Sequence, residues 1–209
     1  MTGEAMDTAG PRLDVYGDFV CPFSWLVGPV LAQVRVDLSL TLNRRAFELR
    51  PVPAPFPDEG YLHANWEHSV LPIARSLGIE VRFPAVRTRT RKAHEAVAFA
   101  DTRGMADAMG EAIYRAYFVD ALDIGRIEVL ARIGAGLGMD YIEVRNALEG
   151  DHFTDRVLDD LERAAFLGIS AVPAFVFNDS SGEGATRIGW QSADDLRHWL
   201  ESTLATVTE

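Results

Sequence analysis

Cysteine is almost missing from this sequence: Cys21 is the only one in 209 residues. One cysteine excludes a disulfide within the chain and limits any cysteine-based metal site to a single sulfur ligand. The five histidines, His63, His68, His94, His152 and His198, show neither HExxH nor another zinc-ligand spacing, so metal chemistry is not expected. No apolar run nears the roughly 20 residues that span a bilayer. The first eleven residues lack the basic and apolar segments of a secretory signal. They read as a disordered tail, and cytoplasmic residence is the expectation. Positive charge is scarce too: 20 Lys and Arg against 31 Asp and Glu leave a net charge of −11. Phosphate binding needs a concentrated positive footprint, so nucleic acid is not an expected partner. Neither is a membrane. Arg87-Thr88-Arg89-Thr90-Arg91-Lys92 is a basic cluster in this acidic background, and it reads as a solvated loop and helix start rather than an anion site.

What is present suits a globular domain near the upper end of single-domain size. Leu13-Asp14-Val15-Tyr16 has short-strand character. From Pro22 the spacing of Leu26, Val30 and Val34 predicts a helix, which Pro29 should kink. Ser39–Leu49 reads as a second strand, and Pro51, Pro53, Pro55 and Pro57 mark a loop after it. Trp66, Val70, Ile73 and Leu77 fall on one helix face, with Gly78 as its stop. Further helices are expected near 90–103, 105–119, 124–137, 140–149 and 154–167. Strand character returns at Pro173–Phe177. Asn178–Gly184 is a turn cluster, Ala185–Gly189 a hairpin partner, and Ser192 with Asp195 a capped start to a last helix. The order is β-α-β, a long helical block, then β-β-α. That order describes an α/β protein with a thioredoxin fold and a helical-bundle insertion between the βαβ and ββα halves. The domain is expected over 12–205, with 12–58 and 168–205 as core and 59–167 as insertion.

Cys21-Pro22-Phe23-Ser24 reads as a helix N-terminus. Proline suits the first helical position because its missing N–H would be unpaired there. Cys21 is then the N-cap, with the N–H groups of Phe23 and Ser24 free to point at its sulfur. Those donors and the helix dipole favour thiolate over thiol, and the Ser24 hydroxyl adds a further hydrogen bond. The alternative is an inert buried thiol. The second element is Ala171-Val172-Pro173 ahead of a strand. In a thioredoxin fold this loop faces the cysteine, and a cis Val172–Pro173 bond would aim the Val172 backbone at a bound peptide or thiol.

Asp18-Phe19-Val20-Cys21-Pro22-Phe23-Ser24-Trp25 resembles the active-site turn of the DsbA family, particularly its cytoplasmic FrnE-like branch, which reads D-x-x-C-P-W-C. Further matches run through Phe47–Pro51, Ala93-His94-Glu95, Tyr114–Phe118 and Gly168–Val176, and Gly189-Trp190-Gln191-Ser192 is similar to that family's G-A-Q turn. The resemblance implies thiol–disulfide chemistry at Cys21. Ser24 stands where the redox branch has its second cysteine, so dithiol oxidation within one chain is excluded. The same turn also resembles the S-P-Y-S-W-L of kappa-class glutathione transferases and 2-hydroxychromene-2-carboxylate isomerases, with Cys21 at their first position.

Three expectations follow. A monothiol DsbA/FrnE-type oxidoreductase would work through a mixed disulfide at Cys21, with Cys21 and Ser24 as catalytic residues. A glutathione-dependent transferase or isomerase would position glutathione instead. A non-catalytic module would bind peptides or thiol-bearing partners. In the first, the partner is a disulfide-bearing protein or a small thiol or disulfide. No bound cofactor is expected, and glutathione or another small thiol serves as co-substrate. Pro22, Phe23, Trp25, Val172 and Pro173 are the candidate substrate-binding residues, with packing as the competing role for Trp25. Glu48 is a candidate for proton transfer, against a strand-end carboxylate facing water. His94 receives no catalytic role.

Overall fold

The computed structural model describes residues 11–178 and 184–207. The expected tail at 1–11 lies outside the described residues except for Pro11, as does most of the turn expected at Asn178–Gly184. Strand β1 (Arg12–Gly17) leads into helix α1 (Pro22–Leu26) and helix α2 (Gly28–Leu38), and β2 (Thr41–Ala46) completes the first half. The kink expected at Pro29 is a break: α1 stops and α2 restarts across Val27, with proline in the first turn of α2. β2 is shorter than expected, because Phe47–Arg50 leaves the sheet.

The insertion follows with α3 (Glu59–Asn65), α4 (Leu71–Ser76), α5 (Arg91–Asp101), α6 (Ala106–Phe118), α7 (Ile127–Gly136), α8 (Tyr141–Glu149) and α9 (Thr154–Phe166). Between α3 and α4, Trp66–Val70 forms a π-helical turn just ahead of Pro72. A missing N–H at Pro72 and a widened turn before it belong together, since the ring cannot sit in a tight α ladder. Gly78, at φ 67°, ends this run in the left-handed conformation that glycine adopts without strain. The chain returns through β3 (Ala174–Asn178), β4 (Gly184–Ile188) and α10 (Ala193–Val207).

The sheet order is β2-β1-β3-β4. β1 and β2 run parallel, and the β1–β3 and β3–β4 pairs are antiparallel. Leu13, Phe175 and Phe177 face α2 and α10 on one side. Tyr16, Ala174 and Val176 face Ala164 of α9 and the Ile169–Val172 loop on the other. The insertion has its own larger core, and Phe19, Trp25 and Leu26 from the Cys21 turn are built into it. The turn that carries the thiol is therefore the joint between sheet and bundle. Among the described residues no helix is long and apolar enough to cross a membrane.

The basic cluster is a loop and helix start, as expected, with Arg87 exposed, but Arg89, Arg91 and Lys92 are half-buried and engaged by the protein. Arg89 donates to the carbonyls of Arg50 and Ala54 and lies over the Phe56 ring. Arg91 pairs with Glu48, and Lys92 with buried Glu95 and with Asp151. These cations fasten the proline loop and α8–α9 to α5.

Candidate active site

After Gly17 the chain turns through Asp18-Phe19-Val20 into α1. The Cys21 N–H donates to the Asp18 carbonyl at 3.0 Å, and the Ser24 N–H donates to the Cys21 carbonyl at 3.1 Å. Cys21 is the N-cap, in extended backbone, with proline next at the first helical position. Its thiol donates to the Val172 carbonyl at 3.3 Å. The Val172–Pro173 bond is cis, and the Gly189 N–H donates to the Pro173 carbonyl at 2.8 Å, tying the end of β4 to this loop.

The charge state of Cys21 corrects the thiolate expectation. The residue is 4% exposed, and burial pushes its thiol up from the ordinary 9.0 to about 11. The nearby Ser24 hydroxyl and the N–H groups of Ser24 and Phe23 pull the other way, although the sulfur makes none of the expected capping hydrogen bonds, while the Asp18 charge adds to the rise. Desolvation is the largest contribution and outweighs these opposing donors. Resting Cys21 is a neutral thiol.

Ser24 is buried beside it, and its Oγ accepts from the Asp18 N–H at 3.4 Å. Tyr114 reaches in from α6 and donates to the Asp18 carbonyl at 3.5 Å; burial raises its phenol far above the ordinary range. A Cβ at Gly17 would lie 3.3 Å from both the Ser24 Cβ and the Tyr114 hydroxyl, a tight fit that glycine avoids. Behind Ser24, a cavity of about 480 Å³ reaches the free edge of β2, with Gly17, His94, Tyr114 and Pro173 in its lining.

Asp18 and His94 are buried polar residues beside the turn that the sequence reading did not bring together. The Asp18 carboxylate is fully buried; Oδ2 accepts the Leu49 N–H at 2.7 Å. Oδ1 has no hydrogen-bond partner and lies 3.6 Å from His94 Nε2. His94 Nε2 also lies 3.0 Å from the Phe47 carbonyl, an acceptor, so this nitrogen carries a proton. The signal for Asp18 was its place three residues before Cys21. His94 had none apart from its segment's resemblance to the family.

The other candidates scatter. Pro22 and Phe23 are half-buried, and Phe23 bridges the bundle core and the α9 core. Trp25 is buried in the bundle core, its Nε1 donating to both Glu111 oxygens at 3.0 and 3.2 Å, its ring stacked on Tyr114 and Phe118. Packing on the bundle, not on the sheet, accounts for it. Glu48 does not face water: it is 8% exposed and bound by the Arg91 guanidinium. Ser192 caps α10, accepting the Asp195 N–H at 3.2 Å.

A thioredoxin-type sheet, a helical insertion and a thiol opposite a cis-proline loop define a thiol-site protein of the thioredoxin fold. The chain belongs to the family of the DSBA-like thioredoxin domain, whose model matches residues 12–200. It is 29% identical over 188 residues to YwbO of Bacillus subtilis (strain 168), covering 83% of this chain and 90% of that protein. A probable DsbA oxidoreductase from Streptomyces coelicolor superposes with a TM-score of 0.79 at 24% identity, over 94% of this chain and 91% of that one. The cytosolic disulfide reductase DsbM from Pseudomonas aeruginosa superposes at 0.72 and 23% identity, over 93% and 99% of the two chains. DsbM has also been solved with GSH.

Proposed function

We propose that the chain is a thiol–disulfide oxidoreductase of the DsbA type working with one thiol. The observation that carries this reading is Cys21 Sγ set 3.3 Å from the Val172 carbonyl, with Ser24 in place of a second cysteine. Cys21 loses its proton to solvent and attacks one sulfur of a disulfide RS–SR′. An S–S bond forms to that sulfur, and R′S⁻ leaves with the electron pair and takes up a proton. An external thiol then attacks the bound sulfur, forms its own disulfide with R, and returns Cys21 as a thiol. One disulfide is exchanged for another, so atoms and electrons balance. The Ser24 hydroxyl is too poor a nucleophile toward sulfur to take the second step. The DsbM structure with GSH supports glutathione as the external thiol, and the cytosolic setting in its name supports a cytoplasmic one here.

The test is quenched mass spectrometry after mixing with a model disulfide. The expected result is a one-to-one adduct on Cys21, long-lived without added thiol and shortened in Ser24→Cys. Equally fast release from the natural sequence overturns the monothiol step.

A second reading, glutathione-dependent transfer or isomerisation, is favoured by one observation. A neutral Cys21 thiol is a hydrogen-bond donor, the group that would hold a glutathione thiolate. Turnover that persists in Cys21→Ser would select this reading over exchange.

A further inference from the structure

A second cavity, of about 380 Å³, lies on the bundle side of the Cys21 turn. Val20, Pro22, Leu62, Trp66, Phe83 and Tyr117 give it apolar and aromatic walls, and Arg50, Asn65 and the Glu59–Arg87 ion pair add polar groups. Val20 and Pro22 flank Cys21 in the chain, so a molecule held here lies against the thiol turn. The volume is that of a small-molecule site.

Among the described residues, two polar groups in this lining are incompletely satisfied. Arg50 is half-buried, and its Nη1 donates to the carbonyl of its neighbour Leu49. Among the described residues no carboxylate pairs with it. The surrounding cations differ: Arg87 pairs with Glu59, Arg91 with Glu48, and Arg89 is spent on backbone carbonyls. The half-buried amide of Asn65 likewise has no hydrogen bond among the described residues. A guanidinium with no carboxylate partner and an amide with no hydrogen bond among the described residues, beside a partly aromatic hollow, complement a carboxylate on an apolar body.

We propose that this cavity binds a small carboxylic acid with an aromatic or bulky apolar body, its carboxylate held by Arg50 and Asn65. The thiol- or disulfide-bearing form of such a molecule is then the small-molecule partner of Cys21, a clause that rests on the exchange reading above.

Calorimetric titration of the full chain with 2-naphthoate and 2-naphthylmethanol tests it. Naphthoate is expected to bind one-to-one, and the uncharged alcohol about tenfold more weakly, as loss of a charge-assisted bond implies. Arg50→Leu should bring naphthoate down to the alcohol's affinity and leave the alcohol unchanged, while Arg50→Lys retains part of the difference. Leu62→Trp should fill the hollow and abolish binding of both. Cys21→Ser should change neither affinity. No naphthoate binding, equal affinity for the two probes, or indifference to Arg50→Leu overturns the proposal. Adduct formation on Cys21 without naphthoate binding overturns this inference alone. Naphthoate binding without any adduct overturns the exchange reading alone.

Discussion

A thiol held at about 11 is almost wholly protonated at neutral pH, and only its thiolate attacks sulfur or carbon. The rate of Cys21 alkylation by iodoacetamide should therefore climb about tenfold per pH unit from neutrality to near pH 10. A plateau near 9 would mean that the thiol reacts from an opened form with its ordinary acidity, and would remove burial as the controlling influence. At this scale the sequence was readable where chemistry is local. Cys-Pro at a helix start, serine at the second motif position and proline before a strand each follow from neighbours in the chain. Two things were not readable. Capping rules give the sign of the helix-start effect at Cys21, but the opposing desolvation depends on Val172, Ile169 and Ala164 of α9 arriving from elsewhere. Asp18 and His94 meet by tertiary packing alone, and no spacing encodes that.

The elements were legible from apolar period and punctuation, and the five helices from α5 to α9 lie close to where the sequence puts them. The π turn at Trp66–Val70 and the break at Val27 were not, since a proline marks a disturbance without saying which form it takes. The short helix α1 owes its place to side chains on α6, through the Trp25 stack and the bond to Glu111. Trp25→Ala should cost about 3–5 kcal/mol of stability in urea unfolding, the range for losing a large buried aromatic. A loss below about 1 kcal/mol would show that α1 is held without it. The strand-to-helix turn is equally tight. Gly17→Val has no room between Ser24 and Tyr114, and the expected penalty is about 1–3 kcal/mol, read as a lower midpoint in the same experiment.

On the scale of the molecule, the acids kept neutral inside it set its alkaline limit. Burial raises Cys21, Tyr16, Tyr114 and Tyr117 above their ordinary values, 9.0 for the thiol and 10.0 for the phenols. Above those values an unfolded chain has released protons that the folded chain still holds, so stability falls as pH rises. Urea midpoints should be level near neutrality and decline from about pH 9 upward, and Cys21→Ala should remove the earliest part of the decline, between 9 and 11. Flat midpoints through that window would mean these groups are already ionised or solvated in the fold. The division into two halves was visible as an order of elements. That the thiol turn is shared between their cores was not, because Trp25 reads equally well as packing its helix on the sheet. A solitary thiol in that shared joint also makes every molecule its own timer. With one cysteine, each labelling event is a single mass increment, and the part of its rate that rises with mild denaturant tracks how readily bundle and sheet part company. The labelled fraction at successive denaturant concentrations then follows opening of this joint separately from global unfolding, without adding any probe to the chain.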